Sequence, residues 1–158
     1  MSVNLDDWFA ITQCYARYSS IADAADWDQW PEQFTDDCVY RLQPRENHER
    51  NLPLATLAFT SKGMLLDRVY SIKETLFHDP YYQRHIISSP LVHSSSEDRW
   101  ECEANYAVFR TKLSDTTTVF NVGRSFDTMV RTANGWRFAS RVCVYDSEMI
   151  PNSIIYPV

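Results

Sequence analysis

Four long segments after Gln83 constrain the fold more than any other feature of this chain. Residues 84–93, 99–112, 117–131 and 136–148 are rich in Val, Ile, Phe, Tyr, Trp and Thr, which suit a pleated, half-buried surface. Only short polar stretches separate them: SSSED, LSDT and TANG. Links this short join antiparallel neighbours, because a parallel crossover needs a dozen residues or more. Asn134-Gly135 is the strongest hairpin signal. In the third segment Thr118, Phe120, Val122, Phe126 and Val130 are expected to share a face that Arg124 interrupts. Gly123 beside it predicts a bulge or sharp bend.

The N-terminal half reads differently. Residues 1–25 suggest a helix, with Asn4 as N-cap and Asp6 and Asp7 in the first turn, where the helix dipole favours negative charge. Leu5, Trp8, Thr12, Tyr15, Ser19 and Ala22 follow one helical stripe; Ile11, Cys14, Tyr18 and Ile21 follow its neighbour. So broad an apolar face suits a helix lying across a curved sheet. Asp26 is placed to cap a short second helix carrying Trp27, Trp30 and Phe34, distorted at Pro31. Cys38 to Leu42 reads as a strand, PRENHERN as a long loop, and Ala55 to Thr60 as a returning strand. Ser61 then caps a helix with Leu65, Val69, Ile72 and Leu76 at helical spacing, ended by Asp79-Pro80. Helices first and a strand meander afterwards define an α+β fold. At 158 residues, with no repeat or linker, the expectation is a single domain over 1–158.

Charge and motif content exclude several chemistries. Up to Tyr40 there are eight acidic residues and one basic residue, Arg17, whereas from Tyr81 onward there are eight of each. An acidic N-terminal region repels phosphate backbones, which argues against nucleic acid and anionic membranes as partners. No apolar run approaches the roughly 20 residues of a membrane span, and an acidic start is unlike a secretory signal, so the expected location is the cytoplasm. There the four cysteines, Cys14, Cys38, Cys102 and Cys143, stay reduced; Cys102 and Cys143 could face each other across strands. A Rieske cluster needs C-x-H, yet the residues two after each cysteine are Ala16, Tyr40, Ala104 and Tyr145. His48, His78, His85 and His93 lack the spacing of a helix-borne metal site. With only Gly63, Gly123 and Gly135 there is no phosphate-cradling loop and no GxSxG elbow. Catalytic, cofactor-binding and metal-ligating residues are therefore expected to be absent.

Two stretches carry a family resemblance: DWDQWPEQFTDDCVYRLQPRENHER from Asp26 to Arg50, and GMLLDRVYSIKETLFHDPYYQRH from Gly63 to His85. They resemble the small (beta) subunits of Rieske non-heme iron aromatic-ring-hydroxylating oxygenases, most of all the salicylate 5-hydroxylase group. Anthranilate and halobenzoate oxygenases are near neighbours, and terephthalate dioxygenase is further off. The resemblance runs from about Tyr15 to the last strand and implies the cone-shaped, nuclear-transport-factor-like fold. It further implies a hexamer of three large and three small subunits around a small-subunit homotrimer. The 2Fe–2S Rieske cluster and mononuclear Fe(II) would sit in the large (alpha) subunit, fed from NAD(P)H through a reductase and a ferredoxin. On that reading the present chain supports assembly and is not itself catalytic.

A rival reading uses the cone as a pocket. Cone-fold enzymes such as scytalone dehydratase and ketosteroid isomerase carry out acid–base chemistry without a cofactor, and Asp23, Tyr40 and His85 form a comparable set. The tyrosine expected just before the aspartate is Ala22 here. The plain alternative is that Asp23 caps or pairs locally, Tyr40 fills core volume and His85 is a satisfied interior histidine. Asp67-Arg68, and Arg141 with Asp146, offer charged pairs, local or between subunits. The segment MIPNSIIYPV is apolar at Ile150, Ile154, Ile155, Tyr156 and Val158, so it either folds back on its own chain or docks on a neighbour.

Overall fold

The computed structural model describes residues 3–151 and 153–158; Met1, Ser2 and Asn152 lie outside the described residues. A helix, α1 (Leu5–Asp23), opens the chain, with the Asn4 side chain accepting from the N–H groups of Asp6 and Asp7. Its buried stripe is Ile11, Tyr15, Tyr18 and Ala22, drawn from both expected stripes, while Leu5 at its start is exposed. The expected second helix does not form. Residues 27–30 make an isolated turn, and a 3-10 turn spans Pro31–Gln33. Pro31 begins that turn, where its missing N–H costs nothing. Trp27, Trp30 and Phe34 are buried nonetheless.

Strand β1 (Phe34–Pro44) is longer than expected, and PRENHERN is not an open loop: Arg45–Glu49 forms a short helix, α2. Strand β2 (Leu57–Phe59) returns antiparallel to β1. Ser61 caps α3 (Lys62–Tyr70) by accepting from the Met64 N–H, and a π turn, Ser71–Thr75, ends the helical stretch before Asp79-Pro80 is reached. The first strand segment splits into β3 (Tyr81–Ile87) and β4 (Leu91–Ser95), broken at 88–90, and both pair with β5 (Arg99–Lys112). Strands β6 (Thr118–Thr132) and β7 (Gly135–Tyr145) complete the meander. The sheet order is β2-β1-β7-β6-β5-β3, antiparallel throughout except that β1 runs parallel to β7. The architecture is α+β, with helices packed on a curved, mainly antiparallel sheet.

Two details of β6 decide what faces the core. Val108 pairs with Asn121 but Phe109 with Val119, so Phe120 is an extra residue in the ladder. That bulge shifts the alternation by one position. Phe120 is buried, but the expected face does not continue: Thr118 and Val122 are exposed, and Phe126 and Val130 are half-buried. The alternating buried set is Asn121, Gly123, Ser125, Asp127 and Met129, and Thr128 is buried beside it. Arg124 is outside that set, 3.1 Å from Glu103. The expected irregularity at Gly123 is a close approach, not a bulge. A Cβ there would overlap the carbonyl of Val144 on β7. At the β6–β7 turn, Thr132 pairs with Gly135, whose φ of +93° glycine adopts without strain.

Gly123→Ala is therefore expected to destabilise by at least about 2 kcal/mol. Gly63→Ala, in the first turn of α3 where an added Cβ would make only an ordinary contact with the Ser61 hydroxyl, is expected to be neutral or stabilising by up to about 1 kcal/mol. Urea unfolding midpoints of the two variants check both signs.

Candidate functional site

The end of α1 meets the sheet edge at β3. Asp23 accepts the backbone N–H of His85 on both carboxylate oxygens, at 3.0 and 3.1 Å, and contacts His85 Nδ1 at 2.7 Å. The Arg84 guanidinium lies 3.6 Å from the same carboxylate. An edge strand presents N–H groups with no strand partner, and here one carboxylate caps such a group. A carboxylate acceptor places the ring proton on Nδ1. The imidazole is fully buried, and its Nε2 has no partner among the described residues. The structure thus joins Asp23 to His85 but not to Tyr40.

Tyr40 serves a different contact. Its hydroxyl donates to the main-chain oxygen of Val158 and accepts the Val158 N–H, each at 3.0 Å. Tyr18 of α1 donates to the same oxygen at 2.6 Å. Residues 153–158 thus fold back into the core, and Ile154 and Val158 are buried. Arg68 of α3 donates to the carbonyls of Ile154 and Ile155, and His78 contacts the Tyr156 hydroxyl at 2.7 Å. Burial pushes the Tyr18 phenol up to about 12 and raises that of Tyr40 well above its ordinary value, so both stay protonated and able to donate. The rings of Trp30, Phe34, Tyr18 and Phe138 pack around this point edge-on or tilted, with centroids 5.4 to 6.2 Å apart.

A second polar cluster lies between β6 and β7. Arg141 pairs with Asp127 at 3.1 Å, not with Asp146, which instead bonds Arg45 at 3.2 Å. Tyr15 and Ser125 both donate to Asp127 Oδ2 at 2.6 Å, and the Arg141 guanidinium stacks 4.3 Å from the Tyr18 ring centroid. Burial pushes the Asp127 carboxyl above its ordinary range, against the pull of Arg141, Ser125 and Tyr15. The Asp127 charge holds Arg141 in its charged form. Sequence reading missed Asp127, Ser125, Tyr15 and Tyr18 as a polar group. Its signal, a carboxylate two residues from a serine on a core-facing strand, was hidden by the parity shift at Phe120.

The cysteines and histidines do not fit an iron centre. Cys102 lies opposite Asp127 and Cys143 opposite Ser125, so β6 separates them, and all four thiols are free. Burial pushes Cys38 up to about 11 and Cys102 and Cys143 up to about 12, whereas a metal ligand must be a thiolate. Each imidazole has its own partner: Gln43 for His48, Tyr156 for His78, Asp23 for His85 and Glu103 for His93. Among the described residues, no three His, Cys, Asp or Glu side chains converge as a metal site would require. Nor is any described helix long and apolar enough to cross a membrane.

Residues 3–142 match the SnoaL-like domain family. The chain is 29% identical to the anthranilate 1,2-dioxygenase small subunit of Burkholderia cepacia over 158 residues, covering all of this chain and 98% of that one. It is 27% identical to subunit beta 1 of the terminal oxygenase component of terephthalate 1,2-dioxygenase from Comamonas sp, covering 90% and 93%. A crystal structure assigned as the beta subunit of an aromatic-ring-hydroxylating dioxygenase from Novosphingobium aromaticivorans superposes with a TM-score of 0.86 at 33% identity, covering 94% and 95%. This chain belongs to the small (beta) subunits of aromatic-ring-hydroxylating dioxygenases. Such a small subunit is a component of an oxidoreductase and implies a large oxygenase subunit as its partner.

The buried thiols give a direct chemical check. A thiol with a pKa near 11 to 12 is ionised to less than about 0.2% at pH 8, and thiolate is the reactive form. The native small subunit is expected to release at most one equivalent, from half-buried Cys14, with a colorimetric disulfide reagent, and four after denaturation.

Proposed function

We propose that residues 1–158 fold as one small-subunit domain that supports assembly of its large partner and supplies no catalytic, cofactor-binding or metal-ligating residue. The observation that carries this reading is that the hydroxyl of Tyr40 and the carboxylate of Asp23 are already engaged by main-chain partners. Tyr18 and Tyr40 hold the Val158 main chain, and Asp23 caps the edge N–H of His85. A general base must reach the proton it abstracts, and no principal cleft among the described residues is lined by Asp23, Tyr40 or His85. The dehydratase or isomerase reading of that trio therefore loses its pocket.

On this proposal the 2Fe–2S cluster and the mononuclear iron belong to the large subunit, and electrons from NAD(P)H reach it through a reductase and a ferredoxin. Three large and three small subunits would assemble around a small-subunit trimer, as a cytoplasmic complex. The anthranilate and terephthalate relatives support a benzoate-type ring as substrate, with salicylate a candidate from the sequence resemblance alone and the choice made in the large subunit. A partner that binds only the folded small subunit also stabilises it by mass action.

Co-expression with the large subunit tests the proposal. Native mass spectrometry and iron analysis are expected to give equal stoichiometry, with iron present in the complex and absent from the small subunit purified alone. Stoichiometric iron in the isolated chain, or ring hydroxylation by it, would refute the assignment.

A further inference from the structure

Residues 153–158 are held as a ligand would be. Two phenols from different elements, Tyr18 on α1 and Tyr40 on β1, donate to a single oxygen, and Tyr40 also accepts the adjoining N–H. The Arg68 guanidinium reaches two further carbonyls of the segment, at 2.5 and 3.1 Å, and Gln83 Nε2 reaches the Pro157 carbonyl at 3.5 Å. None of these contacts belongs to the ladder of the sheet. Every one is a side chain recognising main-chain atoms of one short segment, so the sequence of that segment matters little to them.

The surroundings suit an oxyanion on an apolar body. The guanidinium of Arg141, which pairs with Asp127 through Nη1, lies 4.3 Å from the Tyr18 ring centroid, and its Nε is buried without a partner among the described residues. Trp30, Phe34, Tyr40 and Phe138 supply an aromatic wall, and Phe59 stacks on Tyr40 at 5.9 Å. Both phenols remain protonated at neutral pH, so their two O–H groups keep pointing at whatever oxygen replaces that of Val158.

We infer that the core contains a binding site for a small apolar carboxylate, occupied from within by residues 153–158, whose Val158 oxygen stands where the carboxylate oxygen would bind. This goes beyond the assembly role and does not depend on it. A ligand that needs the segment withdrawn binds more weakly by the fraction of molecules in which it is withdrawn. Loosening the segment while leaving Tyr18 and Tyr40 in place should therefore strengthen binding.

The test uses the full chain and benzoate as probe, read by isothermal titration and by the fluorescence of Trp27 and Trp30. Ile154→Asp/Val158→Asp places charges on two of the segment's buried side chains. Arg68→Gln is the gentler variant, removing one grip at a half-buried position, and keeps the test valid where the double variant does not fold. The folded loosened variants are expected to bind benzoate saturably, at least tenfold more tightly than the unaltered chain. Adding Tyr18→Phe/Tyr40→Phe is expected to remove at least tenfold of that affinity. No saturable binding by a folded loosened variant overturns the inference. So does equal affinity in the unaltered chain, or affinity indifferent to the loss of both hydroxyls.

Discussion

The meeting of Tyr18 and Tyr40 on the main chain of Val158 ties the N-terminal helix, the first strand and residues 153–158 together at one buried point. A curved sheet covered by helices leaves an interior that must be filled, and an unfilled apolar cavity costs about 24 cal/mol per Å³. This chain fills it with its own segment, and the segment's main-chain groups then need partners, because an unpaired buried amide costs several kcal/mol. The two phenols, Arg68 and Gln83 supply them. The same requirement explains Asp23: it closes an edge N–H that lacks a strand partner.

The Asp127–Arg141 pair answers a different demand. Replacing such a buried pair by apolar residues is often neutral, whereas removing one partner typically costs about 3–5 kcal/mol. Its value here is positional. Asp127 on β6 takes hydroxyls from α1 and from its own strand, while Arg141 on β7 stacks on Tyr15, Tyr18 and Phe138. Helix and sheet are thereby fixed in register, and the buried aromatic rings inherit that register.

Much of this was legible in the sequence. β-branched and aromatic runs with short polar links gave the meander, Asn4 and Ser61 marked helix starts, and the α+β order followed. Parity on β6 was not legible, because the bulged Phe120 carries no local signature, and the shift concealed Asp127 as a core carboxylate. The helix in PRENHERN is short and its core-facing side is slight: His48 stacks on Phe126 at 4.9 Å, but no residue of it is fully buried. The trio Asp23, Tyr40 and His85 was half right as geometry. Two of them meet, and the third is drawn away by a segment whose apolar pattern allowed either folding back or docking elsewhere.

On the proposed reading, a small subunit whose interior is committed to holding itself together would bear on activity through its partner's geometry. The most direct measurement is ring-hydroxylation turnover per iron in the assembled complex carrying Tyr18→Phe, Tyr40→Phe and His85→Gln in the small subunit. The account predicts turnover per iron within about twofold of the unaltered complex, alongside a lower unfolding temperature. A loss of a hundredfold or more per iron, with the complex still assembled at equal stoichiometry, would contradict it.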